Sequence, residues 1–207
     1  MPAGDSGSGL VLREASGEDV PGLAHLHLAA WRKAFPGILP ERYLAELSED
    51  GFRARWRELL ELRGRTNLVA ASESGEMLGF VAFGRSREDA AACEIYGLYV
   101  HPDSWRAGVG TALMRAALER IGGGLRVLLW VMEDNTRARR FYERAGFSWS
   151  GRKKRSERGG HEFIEVEYER RSPAGTHAPL RILRRPPSRG TDADPSPTGN
   201  GGLNEAP

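Results

Sequence analysis

Two separated segments carry residues suited to holding and transferring a chemical group. The first is Gly108-Val109-Gly110-Thr111, which follows an extended apolar stretch and precedes a helical pattern. Glycines at such a junction let the backbone approach a ligand, and the free N–H groups of a new helix start point outward at an anion. Alone, a short Gly-x-Gly turn serves tight packing about as often as it binds a ligand.

The second segment is a predicted helix that contains Asn135 and Tyr142. These residues are seven positions apart, about two helical turns, and therefore share a face. Ala138, Phe141 and Ala145 form the neighbouring apolar face. A tyrosine in this place is commonly a half-buried helix side chain with a hydrogen bond at its rim.

Two classes of nucleotide-binding protein lack their sequence fingerprints here. No Gly-x-x-x-x-Gly-Lys-Ser/Thr phosphate loop occurs, and the third glycine of a dinucleotide-binding turn would fall where Leu113 stands. Kinase-like and dehydrogenase functions are therefore disfavoured.

The elements that must position both segments follow from periodicity and turn residues. We predict strands at residues 10–13, 68–72, 77–84, 94–100, 127–132, 147–152 and 162–169, and helices from Val20 to 35, over 41–62 with a break near 48–51, over 109–121 and over 135–145. The strand–helix–strand order around residues 94–132 requires a parallel pair joined by a right-handed crossover. The fold class is thus α/β or α+β, with a mixed, mostly antiparallel sheet.

Composition sets the outer limits on function. Of the 207 residues, 40% are hydrophobic and 28% are charged, which suits one domain at residues 10–171. The Gly/Ser-rich segment 1–9 and the Pro/Gly/Ser-rich segment 172–207 are predicted to be disordered tails. The net charge of +2 and the lack of a recognised reading helix or aromatic platform indicate no nucleic-acid partner. No apolar run of eighteen residues occurs, so we expect no membrane partner and a cytoplasmic location.

The few candidate metal and thiol residues are not arranged for such chemistry. Cys93 is the single cysteine, which rules out an internal disulfide and a cysteine-based zinc site. His25 and His27 are two apart on a helix and point to different faces, so we expect no metal.

The pairing of the glycine turn with Asn135-x-x-Ala138-x-x-Phe141-Tyr142-Glu143-x-x-Gly146-Phe147 resembles the GNAT superfamily of N-acetyltransferases, over about residues 10–171. The resemblance implies the GNAT fold, acetyl-CoA as co-substrate and a pantetheine arm lying like an added strand between residues 94–100 and 127–132. Trp105 stands where the family usually has Arg or Gln, which leaves the amide cradle intact and makes Arg106 the candidate substitute. The implied cofactor-binding residues are Leu98, Tyr99, Val100, Arg106, Ala107, Gly108, Val109, Gly110, Thr111, Asn135 and Ala138.

By the same resemblance Tyr142 donates a proton to the leaving sulfur, and Glu94 is the general base, acting directly or through water. A strand glutamate is more often solvated or ion-paired, and His161, Glu162 and Glu165 are alternative bases. Cys93 has no adjacent base to activate it, so direct transfer in a ternary complex is preferred to an acyl-enzyme.

Acceptor choice is expected at the first two helices, where the candidate substrate-binding residues are Trp31, Phe35 and Tyr43. An aromatic pair at helical spacing, such as Trp31 and Phe35, is more often core. The predicted function is acetylation of a primary amine of a small molecule or peptide, with a homodimer allowed. The main alternative is a sensor that binds acyl-CoA without turnover.

Overall fold

The structure is a computed structural model that describes residues 9–171. The predicted tails at 1–9 and 172–207 lie outside the described residues, apart from Gly9. None of the helices between residues 9 and 171 has the length and apolarity that a bilayer crossing requires.

A seven-stranded sheet forms the centre of the molecule, in the order β1-β2-β3-β4-β5-β7-β6. All neighbouring strands are antiparallel except β4 and β5, which are parallel. The strands are β1 (Val11–Glu14), β2 (Arg65–Ala71), β3 (Met77–Arg85), β4 (Ala92–Val100), β5 (Arg126–Met132), β6 (Ser148–Arg158) and β7 (His161–Arg171). The predicted mixed, mostly antiparallel sheet with one parallel pair is confirmed.

Five α-helices flank the sheet: α1 (Val20–Ala34), α2 (Glu41–Glu46), α3 (Glu49–Glu61), α4 (Val109–Ile121) and α5 (Thr136–Arg144). The start of α1 follows a capping box, in which the Asp19 carboxylate accepts the Ser16 backbone N–H at 2.7 Å. Ser48 is the N-cap of α3 and explains the predicted break between α2 and α3, since its hydroxyl accepts from Gly51 N at 3.2 Å.

Alternation along the strands divides the core into two layers. One layer lies under α4 and α5 and includes Ile95, Leu113, Val131 and Tyr142. The other lies under α1 and α3 and includes aromatic residues such as Trp31, Trp56 and Phe80. We call the corresponding surfaces of the sheet the α4/α5 face and the α1/α3 face.

The last two strands are longer than predicted. The sequence indicated strands at 147–152 and 162–169, whereas β6 extends to Arg158 and β7 runs on to Arg171. The basic run at the middle of β6 hides the alternation, because Arg152, Lys153 and Lys154 each pair with a carboxylate. The chain turns only at Gly159 and Gly160, whose φ angles of 57° and 74° favour glycine.

Candidate active site

An open cleft lies between the two parallel strands. β4 and β5 are paired only from Ala92↔Arg126 to Ile95↔Leu129, although β4 continues to Val100 and β5 to Met132. On its other side β4 stays paired with β3 as far as Val100. The edge of β4 after Ile95 can therefore pair with an extended ligand, as predicted for Leu98, Tyr99 and Val100.

A bulge aims the end of β4 into this cleft. The register with β3 shifts between Ala82 and Phe83, so that Tyr96 has no partner across the ladder, next to Gly97. The sequence signal for this bulge was the glycine inside an otherwise apolar strand.

The glycine turn begins α4 beside the mouth of the cleft. Gly108 is the N-cap with φ 83°, and Arg106 before it also has a positive φ of 67°. Ala112 N donates to Gly108 O at 2.9 Å, which is the first intrahelical bond. The N–H groups of Val109, Gly110 and Thr111 precede that bond and are available to an anion.

Two arginines stand by this turn. The Trp105 indole N–H donates to Val100 O at 2.9 Å, and the Arg137 guanidinium lies 3.3 Å from the centre of the Trp105 ring. Burial and the neighbouring Arg106 charge lower the pKa of Arg137. The sequence reasoning missed Arg137, although a cation in the first turn of a helix opposes the helix dipole and is itself a signal for an anion.

Helix α5 closes the cleft on the α4/α5 face. Asn135 is its N-cap, with Oδ1 accepting from Ala138 N at 3.1 Å, so this side chain orders the helix start. Phe141 packs so near Gly110 that a Cβ there would lie 3.4 Å from its ring. The structure thus brings the glycine turn and the Asn135–Tyr142 segment together.

Tyr142 is buried, with 1% of its surface exposed, and its ring packs against Phe141 and Phe147 at centroid distances of 5.5 and 6.0 Å. Burial raises its pKa. Because the neutral form is favoured, the phenol keeps its proton at neutral pH and has one to donate.

Glu94 is also buried, but it is paired. Its carboxylate accepts from the Arg87 backbone N–H at 3.2 Å and from two groups of the Arg87 guanidinium. Burial alone would lower the pKa of Arg87, and the Glu94 carboxylate outweighs it and raises that pKa. Since a base must first release its partners, this geometry favours a structural role for Glu94.

The predicted acceptor residues lie together on the α1/α3 face. Trp31 and Phe35 are buried in the core and pack edge to face at 5.2 Å, while Tyr43 is half-buried at 6.4 Å from Trp31. The β6–β7 turn covers them, because Gly159 packs against the Tyr43 ring and Arg158 lies 5.4 Å from the Trp31 ring.

Comparisons with known proteins agree with this geometry. A model of the Acetyltransferase (GNAT) family matches residues 27–147. The chain belongs to the GNAT family. The probable N-acetyltransferase Rv2775 of Mycobacterium tuberculosis is 32% identical over 149 residues, which are 70% of this chain and 83% of that protein. The uncharacterized N-acetyltransferase YuaI of Bacillus subtilis is 32% identical over 130 residues, 61% of this chain and 73% of that protein.

The fold is shared with a solved structure of the PaiA N-acetyltransferase from Thermoplasma acidophilum in complex with coenzyme A. The TM-score is 0.58 at 22% identity, and the match covers 79% of this chain and 99% of that one. The GNAT chain described here is accordingly an acyl-CoA-dependent acetyltransferase.

We find no catalytic arrangement at Cys93, His25 or His27 of this GNAT protein. Burial raises the pKa of the Cys93 thiol, which disfavours the thiolate that an acyl-enzyme would need. His27 is enclosed by aromatic rings, and His25 lies outside on α1, bonded to Glu49 at 3.2 Å. Between residues 9 and 171, no group of three or more His, Cys, Asp or Glu side chains is placed to hold a metal ion.

Proposed function

We propose that this GNAT protein transfers the acetyl group of acetyl-CoA to a primary amine of a small molecule or a peptide, by direct attack within a ternary complex. The observation that carries the proposal is the open β4–β5 cleft, with the glycine turn at the start of α4 and Tyr142 in the core layer under α4 and α5. The coenzyme A in the Thermoplasma structure supports the same cofactor here.

The proposed binding mode uses backbone groups first. The pantetheine arm pairs with Leu98 and Val100, and the pyrophosphate rests on the amides from Gly108 to Thr111. Arg106 and Arg137 supply the side-chain contacts to the pyrophosphate that the family's usual Arg or Gln supplies elsewhere. The Arg137–Trp105 contact supports this assignment, because it holds the guanidinium beside the turn.

The proposed reaction is a direct acyl transfer in which Tyr142 is the proton donor. A neutral amine attacks the thioester carbonyl carbon, the C–N bond forms, and the C–S bond then breaks. The Tyr142 hydroxyl gives its proton to the departing thiolate and regains one from the new amide nitrogen. Acetyl-CoA supplies the activated acyl group, and no further cofactor is needed for this balance.

Thermal unfolding with and without acetyl-CoA tests the binding part. Ligand at a hundredfold over its Kd should raise the free energy of unfolding by about 2.7 kcal/mol. Absence of any shift at saturating acetyl-CoA would remove both the enzyme and the sensor functions.

A thiol-release assay tests turnover with a panel of free amino acids, polyamines and short peptide amides. Amine-dependent release of CoA supports the enzyme, whereas a thermal shift without release on any amine supports the sensor. The cytoplasmic location and the homodimer stay predictions, which fractionation and sedimentation would test.

A further inference from the structure

Strand β7 presents a row of carboxylates to the α1/α3 face. Glu165, Glu167 and Glu169 alternate with Val166 and Tyr168, which belong to the opposite core layer. Glu167 accepts from Arg126 at 2.8 Å and from Arg152 at 2.7 Å, and Glu169 accepts from Arg126 at 2.5 Å. These two carboxylates are therefore held by arginines.

Glu165 differs from both. Its Oε2 accepts from the Ser156 hydroxyl at 2.6 Å and lies 3.7 Å from Lys154 Nζ. Its Oε1 is buried and has no hydrogen-bond partner within the part of the chain that the structure describes. A buried carboxylate oxygen without a donor is unfavourable, and such an atom calls for a ligand or a catalytic role.

The position of Glu165 on β7 supports a catalytic role. It lies directly across from Met132 at the end of β5, beyond the last β4–β5 pair at Ile95↔Leu129. Glu165 is therefore one strand away from the open cleft, beside the end of β5 that lines it, on the α1/α3 face. Tyr142 belongs to the core layer of the opposite face, with Val131.

The charged groups around Glu165 come from three elements. Lys154 on β6 pairs with it, Glu167 is its neighbour on β7, and the field of Glu165 reaches Arg87 in the β3–β4 loop, where it helps to raise the pKa of that residue. The Glu94 carboxylate on β4 forms an ion pair with Arg87. Among these groups Glu165 is the one with an oxygen left for an incoming ammonium.

We propose that Glu165 is the general base of the transfer, an assignment that rests on the proposed function above. Oε1 receives the ammonium of the acceptor and takes one N–H proton, which leaves a neutral amine and a neutral carboxylic acid. The amine then attacks the thioester, and Glu165 later releases its proton to water. Ser156 is a positioning residue, because its bond to Oε2 leaves Oε1 as the oxygen without a donor among residues 9–171.

The test is Glu165→Gln, assayed with the fastest acceptor of the amine panel at saturation. The amide keeps the size of the side chain and a group for Ser156 but cannot take a proton. We expect kcat at neutral pH to fall about a hundredfold or more. The residual kcat should rise about tenfold per pH unit toward the pKa of the acceptor amine, while wild-type kcat stays nearly flat, because only neutral amine reacts in the variant.

Two controls separate a base from a structural carboxylate. Glu157→Gln makes the same change at an exposed position of the same hairpin and should keep the wild-type kcat and pH profile. Glu165→Ala with added sodium formate should recover part of the lost kcat, since formate can replace the missing carboxylate, and an equal concentration of chloride should not.

The outcomes are distinct. If Glu165→Gln kept the acetyl-CoA thermal shift and a flat pH profile, with kcat within about threefold of wild type, the assignment to Glu165 would be wrong and the proposed function would stand. If the wild-type protein released no thiol with any amine, the proposed function would fail, and the base assignment with it.

Discussion

On the α4/α5 face, the proposed cofactor contacts are mostly backbone groups: the free edge of β4 and the amides at the start of α4. On the α1/α3 face, the groups proposed to meet the acceptor are side chains from α1 and its C-terminal end, α2 and β7. Backbone geometry follows from a few adjacent residues, whereas a cluster of side chains depends on strand register across the whole sheet. The first kind of site tolerates changes in side chains, and the second does not.

The sharpest test of the α4/α5 face is substitution of Tyr142, the side chain there that is proposed to act as proton donor. Tyr142→Phe removes the hydroxyl but keeps the ring packed between Phe141 and Phe147. We expect kcat to fall about 10²- to 10⁴-fold, because the thiolate then leaves without a proton donor, while the Kd of acetyl-CoA stays within about twofold. Thiol-release assays measure kcat, and acetyl-CoA titrations measure the Kd.

Tyr168→Phe is the matched control for this change. Tyr168 is buried in the same core layer, but its hydroxyl accepts from Arg139 at 3.1 Å and donates to Glu143 at 2.8 Å at the surface. The Tyr168→Phe substitution should lower thermal stability with little effect on kcat. Equal kcat in Tyr142→Phe and wild type would remove Tyr142 from the mechanism.

On the α1/α3 face, Glu94→Gln distinguishes a structural ion pair from a base. The variant leaves the Arg87 guanidinium without its countercharge, so we expect the free energy of unfolding to fall by about 2 kcal/mol, less than for a fully buried pair because Arg87 is partly exposed. Urea unfolding measures the loss, and Arg87→Met combined with Glu94→Gln should cost less than the sum of the two single changes. A Glu94→Gln protein of normal stability whose kcat rises steeply with pH would instead make Glu94 the base.

The same contrast explains what the sequence could predict. Gly108, Asn135 and Tyr142 lie in local patterns, because helix starts and caps are fixed by residues within one turn, and Gly108 and Asn135 are the N-caps of α4 and α5. The pairing of Glu94 with Arg87 and the buried oxygen of Glu165, unpartnered within the described residues, depend instead on how a loop and two strands meet. No local pattern reports those contacts, which is why Glu165 stood only among the alternative bases and Arg137 was missed.

Arg137 tests how far the phosphate site depends on side chains. Arg137→Gln should weaken acetyl-CoA binding about tenfold, corresponding to roughly 1.4 kcal/mol for one charge-assisted contact. The difference from wild type should shrink as salt is raised from low to high ionic strength, because the lost term is electrostatic. Calorimetric titration at two salt concentrations measures both effects.

Arg140→Gln provides the control, since Arg140 is an exposed arginine on the same helix. It should leave the acetyl-CoA Kd close to that of the wild type. If Arg137→Gln also bound acetyl-CoA normally, the amides of the glycine turn would suffice to bind the pyrophosphate. The contrast between backbone contacts on the α4/α5 face and side-chain contacts on the α1/α3 face would then be even stronger.

The smallest expected effect concerns His27, at the centre of the aromatic layer on the α1/α3 face. Both ring nitrogens are buried without a partner in residues 9–171, and burial, with the nearby Arg65 and Arg158 charges, lowers its pKa well below the ordinary 6.5. Just below pH 6.5, the ordinary histidine pKa, the unfolded chain takes up a proton on His27 and the folded chain does not. Stability is therefore lost as pH falls, by about 1.4 kcal/mol one pH unit below the unfolded pKa.

His27→Leu should remove this part of the pH dependence and be neutral or stabilising at pH 5.5, since the apolar replacement leaves no buried nitrogen unpaired. Urea unfolding between about pH 7.5 and about pH 5.5 measures the slope, a range in which histidines titrate and most carboxylates do not. His161→Gln, at an exposed position on β7, should keep the wild-type slope. If the pH dependence of the free energy of unfolding were unchanged in His27→Leu, His27 would take up a proton in the folded protein. The buried aromatic layer would then hold a charge, contrary to this prediction.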